Sequence, residues 1–136
     1  MSDGVVRLSP GTLDAKRVLL IEDQEEAMFL VQQALVEDGP GAYQLEWANR
    51  VGAGLARLAE GGVDLVVLDL CLPDGAGPEN YTRVRQIAPE LPVVVLTSDS
   101  SAETKATLAA KGVARYLVKG ELADYELREA IQQVLQ

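Results

Sequence analysis

"DLVVLDLCLPDGAG", residues Asp64–Gly77, decides how this chain folds. The unbroken apolar run from Leu65 has the composition of a strand covered on both faces. It ends on Asp69, and a Pro/Gly loop follows. An unpaired charge at the end of a buried strand is costly. Asp69 therefore either caps the next turn or reacts, and the ends of the other strands decide between the two.

The same pattern recurs on both sides. "RVLLIE" (Arg17–Glu22) is a continuous apolar run that ends at Glu22 or Asp23. Ala27, Leu30, Val31, Ala34 and Leu35 follow at helical spacing, and "DGPG" (38–41) stops that helix. "YQLEWA" (Tyr43–Ala48) alternates like a more exposed strand. A helix over Val51–Glu60, weakened by Gly52 and Gly54, ends at Gly61 and Gly62. After the loop, Pro78 suits a first helical turn, which Tyr81, Val84 and Ile87 continue, with Glu79 and Asn80 making its start polar. "LPVVVLT" predicts a strand ending at Thr97. "SAETKATLAAKG" predicts a helix capped by Ser100 or Ser101 and stopped by Gly112. "RYLVK" is a strand ending at Lys119, and a last helix from Asp124 to Leu135 turns Leu127, Ile131, Val134 and Leu135 inward.

Five strands alternating with five helices predict an α/β fold, a doubly wound parallel sheet with helices on both faces. Residues 17–136 form that single domain, a size suited to 136 residues in all. Residues 1–16 read as a mobile N-terminal extension, in which "VVRL" has the composition to add a short strand.

Composition narrows function. A formal net charge of −9 argues against direct nucleic-acid binding, which rests on neutralising phosphates with Lys and Arg. One cysteine makes no internal disulfide, and no apolar N-terminal run resembles a signal peptide or a membrane span, so a soluble cytoplasmic protein without membrane attachment is expected. The absence of histidine excludes His-built zinc sites, Ser/His triads and a phosphohistidine on this chain.

In a doubly wound sheet ligands sit beyond the carboxyl ends of the strands. Those ends carry Glu22 and Asp23, then Asp69, Thr97 and Lys119. Three clustered carboxylates raise one another's pKa unless a cation shares them, and all-oxygen donors suit a hard ion such as Mg²⁺. Lys119 supplies a second positive charge. Asp69 is then placed to attack a phosphoryl group, with Thr97 donating a hydrogen bond to the group transferred.

With "IEDQ", "LVVLDLCLPDGAG", "VVVLTS" and "YLVKG" in this order and spacing, the chain from Arg17 to Gln136 resembles a response-regulator receiver domain of bacterial two-component signalling. The resemblance implies a flavodoxin-like (βα)5 fold with strand order 2-1-3-4-5. It implies that Asp69 accepts the phosphoryl group, and that Glu22, Asp23, Asp69 and the backbone carbonyl of Cys71 hold Mg²⁺. Thr97 and Lys119 would contact the phosphoryl oxygens, and Tyr116 would switch rotamer with Thr97 on activation. The implied partners are a histidine kinase or histidine phosphotransfer protein and a downstream protein target, met through the fourth helix, fifth strand and fifth helix. Unless the chain is a fragment of a larger regulator or hybrid kinase, output by protein contact is expected. Catalysis is expected to stop at phosphotransfer and self-dephosphorylation.

Two departures from the resemblance stand out. Gly120 follows Lys119 where the family commonly has proline, which leaves a cis or a trans bond open there. The side chain of Cys71 is expected to be a small apolar filler, although its place beside Asp69 leaves oxidation or an influence on dephosphorylation open. The competing readings are a pseudo-receiver that binds without phosphorylation and a haloacid-dehalogenase-type phosphatase. The latter family places a second Asp two residues after its nucleophile, where this chain has Cys71.

Overall fold

The run that ends on Asp69 is β4 (Leu65–Leu68), with all four residues buried. In this computed structural model, which describes residues 4–39 and 41–136, β4 lies between β2 (Lys16–Ile21) and β7 (Val93–Thr97), parallel to both. Pro40 of the "DGPG" stop and Met1–Asp3 of the extension lie outside the described residues. β3 (Tyr43–Ala48) pairs in parallel with the other side of β2, and β8 (Arg115–Val118) does so with β7. The expected 2-1-3-4-5 order is therefore present, with the additional strand described below. Each apolar side chain buried along β4 contributes roughly 1.5–3 kcal/mol.

Helices α1 (Glu25–Val36) and α5 (Glu126–Leu135) cover one face of the sheet over Leu20, Val67 and Leu96. Helices α2 (Val51–Ala59), α3 (Glu79–Ile87) and α4 (Ala102–Ala110) cover the other over Leu19, Val66 and Val95. On α1 the buried stripe is Ala27, Met28, Val31, Ala34 and Leu35. Leu30, expected inside, lies roughly 100° from the centre of that stripe at ~100° per residue and is exposed, and Ile87 at the last position of α3 is exposed as well. Gly54 in α2 permits close packing, because a Cβ there would collide with the side chain of Ile21.

The N-terminal segment adds a sixth strand to the sheet. Val5–Ser9 forms β1, the strand for which "VVRL" has the composition, paired antiparallel to the outer edge of β3. This cover explains why β3 is not the exposed strand that its alternation predicts. Gln44, Leu45 and Glu46 are all buried, and Glu46 is paired with Arg57 of α2. The loop after Asp69 is also more ordered than a bare Pro/Gly turn, since β5 (Cys71–Leu72) and β6 (Gly75–Ala76) make a small hairpin.

Candidate functional site

Parallel pairing of β2, β4 and β7 carries the ends of all three strands to one rim. Asp69 follows β4 directly, and its N–H donates to the carbonyl of Ile21 at 3.0 Å, so it stands level with the end of β2. Glu22 and Asp23 leave β2 at that level. One carboxylate oxygen from each of Glu22, Asp23 and Asp69 lies within 4.8 Å of the others. Glu22 and Asp69 are buried, at 1% and 3% exposure, while Asp23 faces solvent.

Lys119, just beyond β8, closes the cluster. Its Nζ lies 2.6 Å from Glu22 Oε1 and 3.1 Å from Asp69 Oδ2. Glu22 Oε2 accepts from the N–H of Gln24, and Asp69 Oδ1 accepts from the N–H of Cys71 at 3.1 Å. Burial pushes the Glu22 carboxyl up to about 7, and the negative field of Asp69 adds to the rise against the opposing bond from Lys119. Burial alone would lower the Lys119 ammonium, but its bonds to Glu22 and the field of Asp69 hold it above the ordinary lysine value.

Three carboxylates against one ammonium leave an excess of negative charge in a shared, all-oxygen donor set. That chemistry fits a hard divalent cation. Every peptide bond among the described residues is trans, Lys119–Gly120 included, and a 3₁₀ turn over Lys119–Glu121 carries the lysine into place.

Thr97 and Tyr116 meet each other's surroundings through Asp99. Thr97 is fully buried at the end of β7, and its Oγ1 accepts from the N–H of Asp99 at 3.4 Å. The Tyr116 hydroxyl donates to the carbonyl of Asp99 at 2.7 Å. Burial, with the charges of Asp99 and Asp69 beside it, pushes the Tyr116 hydroxyl up to about 12. Cys71 offers its N–H to Asp69, but its side chain is exposed and does not fill the core. Cys71 stands in the β5–β6 hairpin, paired with Ala76, on its exposed side.

Several residues that support the site escaped the sequence reading. Asp74 accepts from the N–H groups of Val51 and Gly52 at 2.7 and 2.9 Å, binding the loop after Asp69 to the start of α2. The Pro73-Asp74-Gly75 turn pattern was the available signal. Buried Asn80 donates to the carbonyls of Leu70 and Gly75, which fixes the same loop against α3. Gln24 Oε1 is 3.4 Å from Lys119 Nζ, and the indole N–H of Trp47 donates to the carbonyl of Glu22 at 2.6 Å. Gln24 closes the "IEDQ" motif and Asn80 stands at the polar start of its helix, but nothing local in the sequence marks their contacts or that of Trp47.

Comparison with known proteins gives the family and the fold. A family model described as response regulator receiver domain matches residues 18–132. The transcriptional regulatory protein PcoR of Escherichia coli is 33% identical over 76% of this chain and 45% of its own length. The KDP operon transcriptional regulatory protein KdpE of Escherichia coli (strain K12) is 35% identical over 75% of this chain and 44% of its own. The chain thus spans about half the length of the curated relatives it matches. Among solved structures, a receiver domain protein (CheY-like) from Methanospirillum hungatei JF-1 superposes with a TM-score of 0.77 at 26% identity, covering 89% of this chain and 94% of that one. The signal receiver domain of an HD domain-containing protein from Pseudomonas fluorescens Pf-5 gives 0.77 at 32% identity, covering 91% and 89%.

Proposed function

The chain belongs to the response regulator receiver domain family, and from that premise we propose that it is a switch operated by phosphorylation of Asp69. The donor in this reading is a phosphohistidine, and since this chain has no histidine of its own it lies on a partner, a histidine kinase or histidine phosphotransfer protein. One oxygen of the Asp69 carboxylate forms the new O–P bond as the N–P bond of the donor breaks, and the electron pair leaves with the partner's imidazole. The observation that carries the reading is Lys119, held 3.1 Å from Asp69 Oδ2 and 2.6 Å from Glu22 Oε1 beside the three clustered carboxylates.

Glu22, Asp23, Asp69 and the carbonyl of Cys71 would hold Mg²⁺, which supplies charge neutralisation for phosphoryl transfer when bound. Lys119 pairs with the incoming phosphoryl oxygens, and Thr97 donates its hydroxyl to them. Thr97 would then exchange its contact with the N–H of Asp99 for one with the phosphoryl group. Tyr116 follows through the carbonyl of Asp99, altering the face made by α4, β8 and α5 on which a downstream protein docks. Slow hydrolysis of the acyl phosphate resets the switch. The unit that does this spans 17–136, with β1 added to it, and acts in the cytoplasm by protein contact. No helix among the described residues is long and apolar enough to cross a membrane.

Intact-protein mass after incubation with Mg²⁺ and a small-molecule phosphodonor tests this reading. The expected result is one phosphoryl adduct that requires Mg²⁺ and is absent from Asp69→Asn. Failure to form either that adduct or a beryllofluoride complex would sink the proposal in favour of a pseudo-receiver. Sustained turnover of external phosphate esters would instead favour a phosphatase.

A further inference from the structure

Three arginines gather at the end of the sheet where the parallel strands begin, opposite Asp69. Arg7 of β1 stands in register with Glu46 of β3, Arg17 of β2 stands in register with Gln44, and Arg57 reaches over them from α2. Together they line an open cleft of about 660 Å³, within the range of small-molecule sites. β1 forms one of its walls, so the cleft exists only because the extra strand is there.

The glutamate at the base of the cleft is already committed. Its Oε1 accepts from Arg57 Nε at 2.6 Å, and its Oε2 accepts from Gln44 Nε2 at 2.7 Å and Arg57 Nη2 at 3.3 Å. Arg57 Nη1 donates to the carbonyl of Gly61 at 2.7 Å, which leaves about two of its five N–H donors for another acceptor. The bonds that Glu46 accepts come from Arg57 and Gln44, so it takes up neither of the exposed guanidinium groups of Arg7 and Arg17. Arg7 is nonetheless near enough for its field to act on the Glu46 carboxylate.

Arg17 has a prepared place. Gly61 and Gly62 turn with φ of +78° and +81°, and a Cβ on Gly62 would stand 3.1 Å from Arg17 Nη1. The bare turn therefore lets one guanidinium lie against it while its carbonyl holds another. Three guanidiniums against Glu46 and Glu60 give the cleft one net positive charge, on a chain whose formal charge is −9. Guanidinium forks match the oxygens of phosphate and carboxylate. A carboxylate has two oxygens to offer donors that approach from three elements, whereas a terminal phosphate has three.

We propose that this cleft binds a small phosphorylated molecule, its phosphate oxygens held by Arg7, Arg17 and the spare N–H groups of Arg57. Binding joins β1 to β2 and α2 through the ligand. This site is separate from the phosphoacceptor and does not depend on Asp69.

The test is an amide NMR titration of the full chain with pyrophosphate in magnesium-free buffer, run on the native protein, on Asp69→Asn and on the double variant Arg7→Gln/Arg17→Gln. Both arginines are exposed, so the double variant should unfold at the native temperature, which a melting curve checks. Saturable shifts at Arg7, Arg17, Gly61 and Gly62 are expected, with a Kd tighter than about 1 mM. They should persist in Asp69→Asn and weaken at least tenfold in the double variant, with slower hydrogen exchange over Val5–Ser9 on binding. Absence of saturation, shifts centred on Lys119, or equal affinity in the double variant would overturn the proposal. Equal binding of citrate would overturn the choice of phosphate.

Discussion

The Tyr116 hydroxyl donates a 2.7 Å hydrogen bond to the carbonyl of Asp99, whose own N–H is accepted by Thr97 at 3.4 Å. The two residues that sequence resemblance pairs as a switch thus grip the same peptide segment between β7 and α4. A side-chain hydrogen bond of this kind contributes about 0.5–1.5 kcal/mol net. Tyr116→Phe should lower unfolding stability by about that amount and speed amide exchange in residues 98–101. Urea unfolding and hydrogen exchange check this, and unchanged values for both would show that the grip has no energetic weight.

Asp74 serves as a cap for a helix more than twenty residues before it in sequence. Both of its oxygens accept from the first N–H groups of α2, and Arg50 at the Ncap position makes no side-chain cap of its own. Against the desolvation that would raise it, those two bonds hold the Asp74 carboxyl below the usual aspartate range. Asp74→Ala should cost about 1–2 kcal/mol in chemical denaturation and Asp74→Asn less. Equal loss in both variants would show that charge at the helix terminus, and not hydrogen bonding, carries the effect.

The legible part of this protein was the part built from strands. Apolar runs end where their residues must leave the core, so Glu22, Asp23, Asp69, Thr97 and Lys119 could be placed on one rim before any coordinates. Long-range polar contacts were not legible. Asp74 capping Val51, Asn80 holding Leu70, and Trp47 holding Glu22 depend on chain segments that only the folded sheet brings together. β3 misled for the same reason, since its polar Gln44 and Glu46 read as solvent-facing until β1 and Arg57 covered them.

Trp47 is the only tryptophan in the chain, and its indole N–H is bonded to the carbonyl of Glu22 beside the acidic cluster. Its fluorescence should therefore follow cation binding. Titration with Mg²⁺ should give a saturable change that EDTA reverses and that Asp23→Asn weakens by at least tenfold, as expected on losing one of three charged carboxylate ligands. A change of the same size and midpoint in Asp23→Asn would place the cation elsewhere.

Glu22 sets a pH dependence whose sign follows from its burial. Its carboxyl titrates near 7 in the fold against an ordinary value of 4.5, so the native state holds this proton more tightly than the unfolded chain. The resulting stabilisation is complete below about 4.5 and is lost as pH rises through about 7. Asp38 and Glu46, both held low, act in the opposite sense at more acidic pH. In metal-free buffer, native stability should fall between pH 4.5 and 7 relative to Glu22→Gln, which cannot ionise. Mg²⁺ competes with the same proton, so its affinity should rise across that interval. A flat difference between native and variant would remove Glu22 as the titrating group.

The Glu46–Arg57 pair is the sharpest test of how β1 and α2 are joined to the sheet. Both residues are buried apart from the edge of Arg57 that lines the cleft, and their shortest contact is 2.6 Å. Removing one member leaves the other buried without a counter-charge, which costs about 3–5 kcal/mol, while replacing both with apolar groups of similar volume is often neutral. Arg57→Met should accordingly destabilise by about that amount, and Glu46→Leu by a comparable amount because it strands the guanidinium. The double variant should recover most of the loss. Urea denaturation of the three variants measures the coupling directly, and additive losses would mean that each residue acts through packing alone. Because Arg7 and Arg17 border the same pair, the double variant also tests the cleft. It should still fold, yet bind pyrophosphate more weakly, having lost the Arg57 donors.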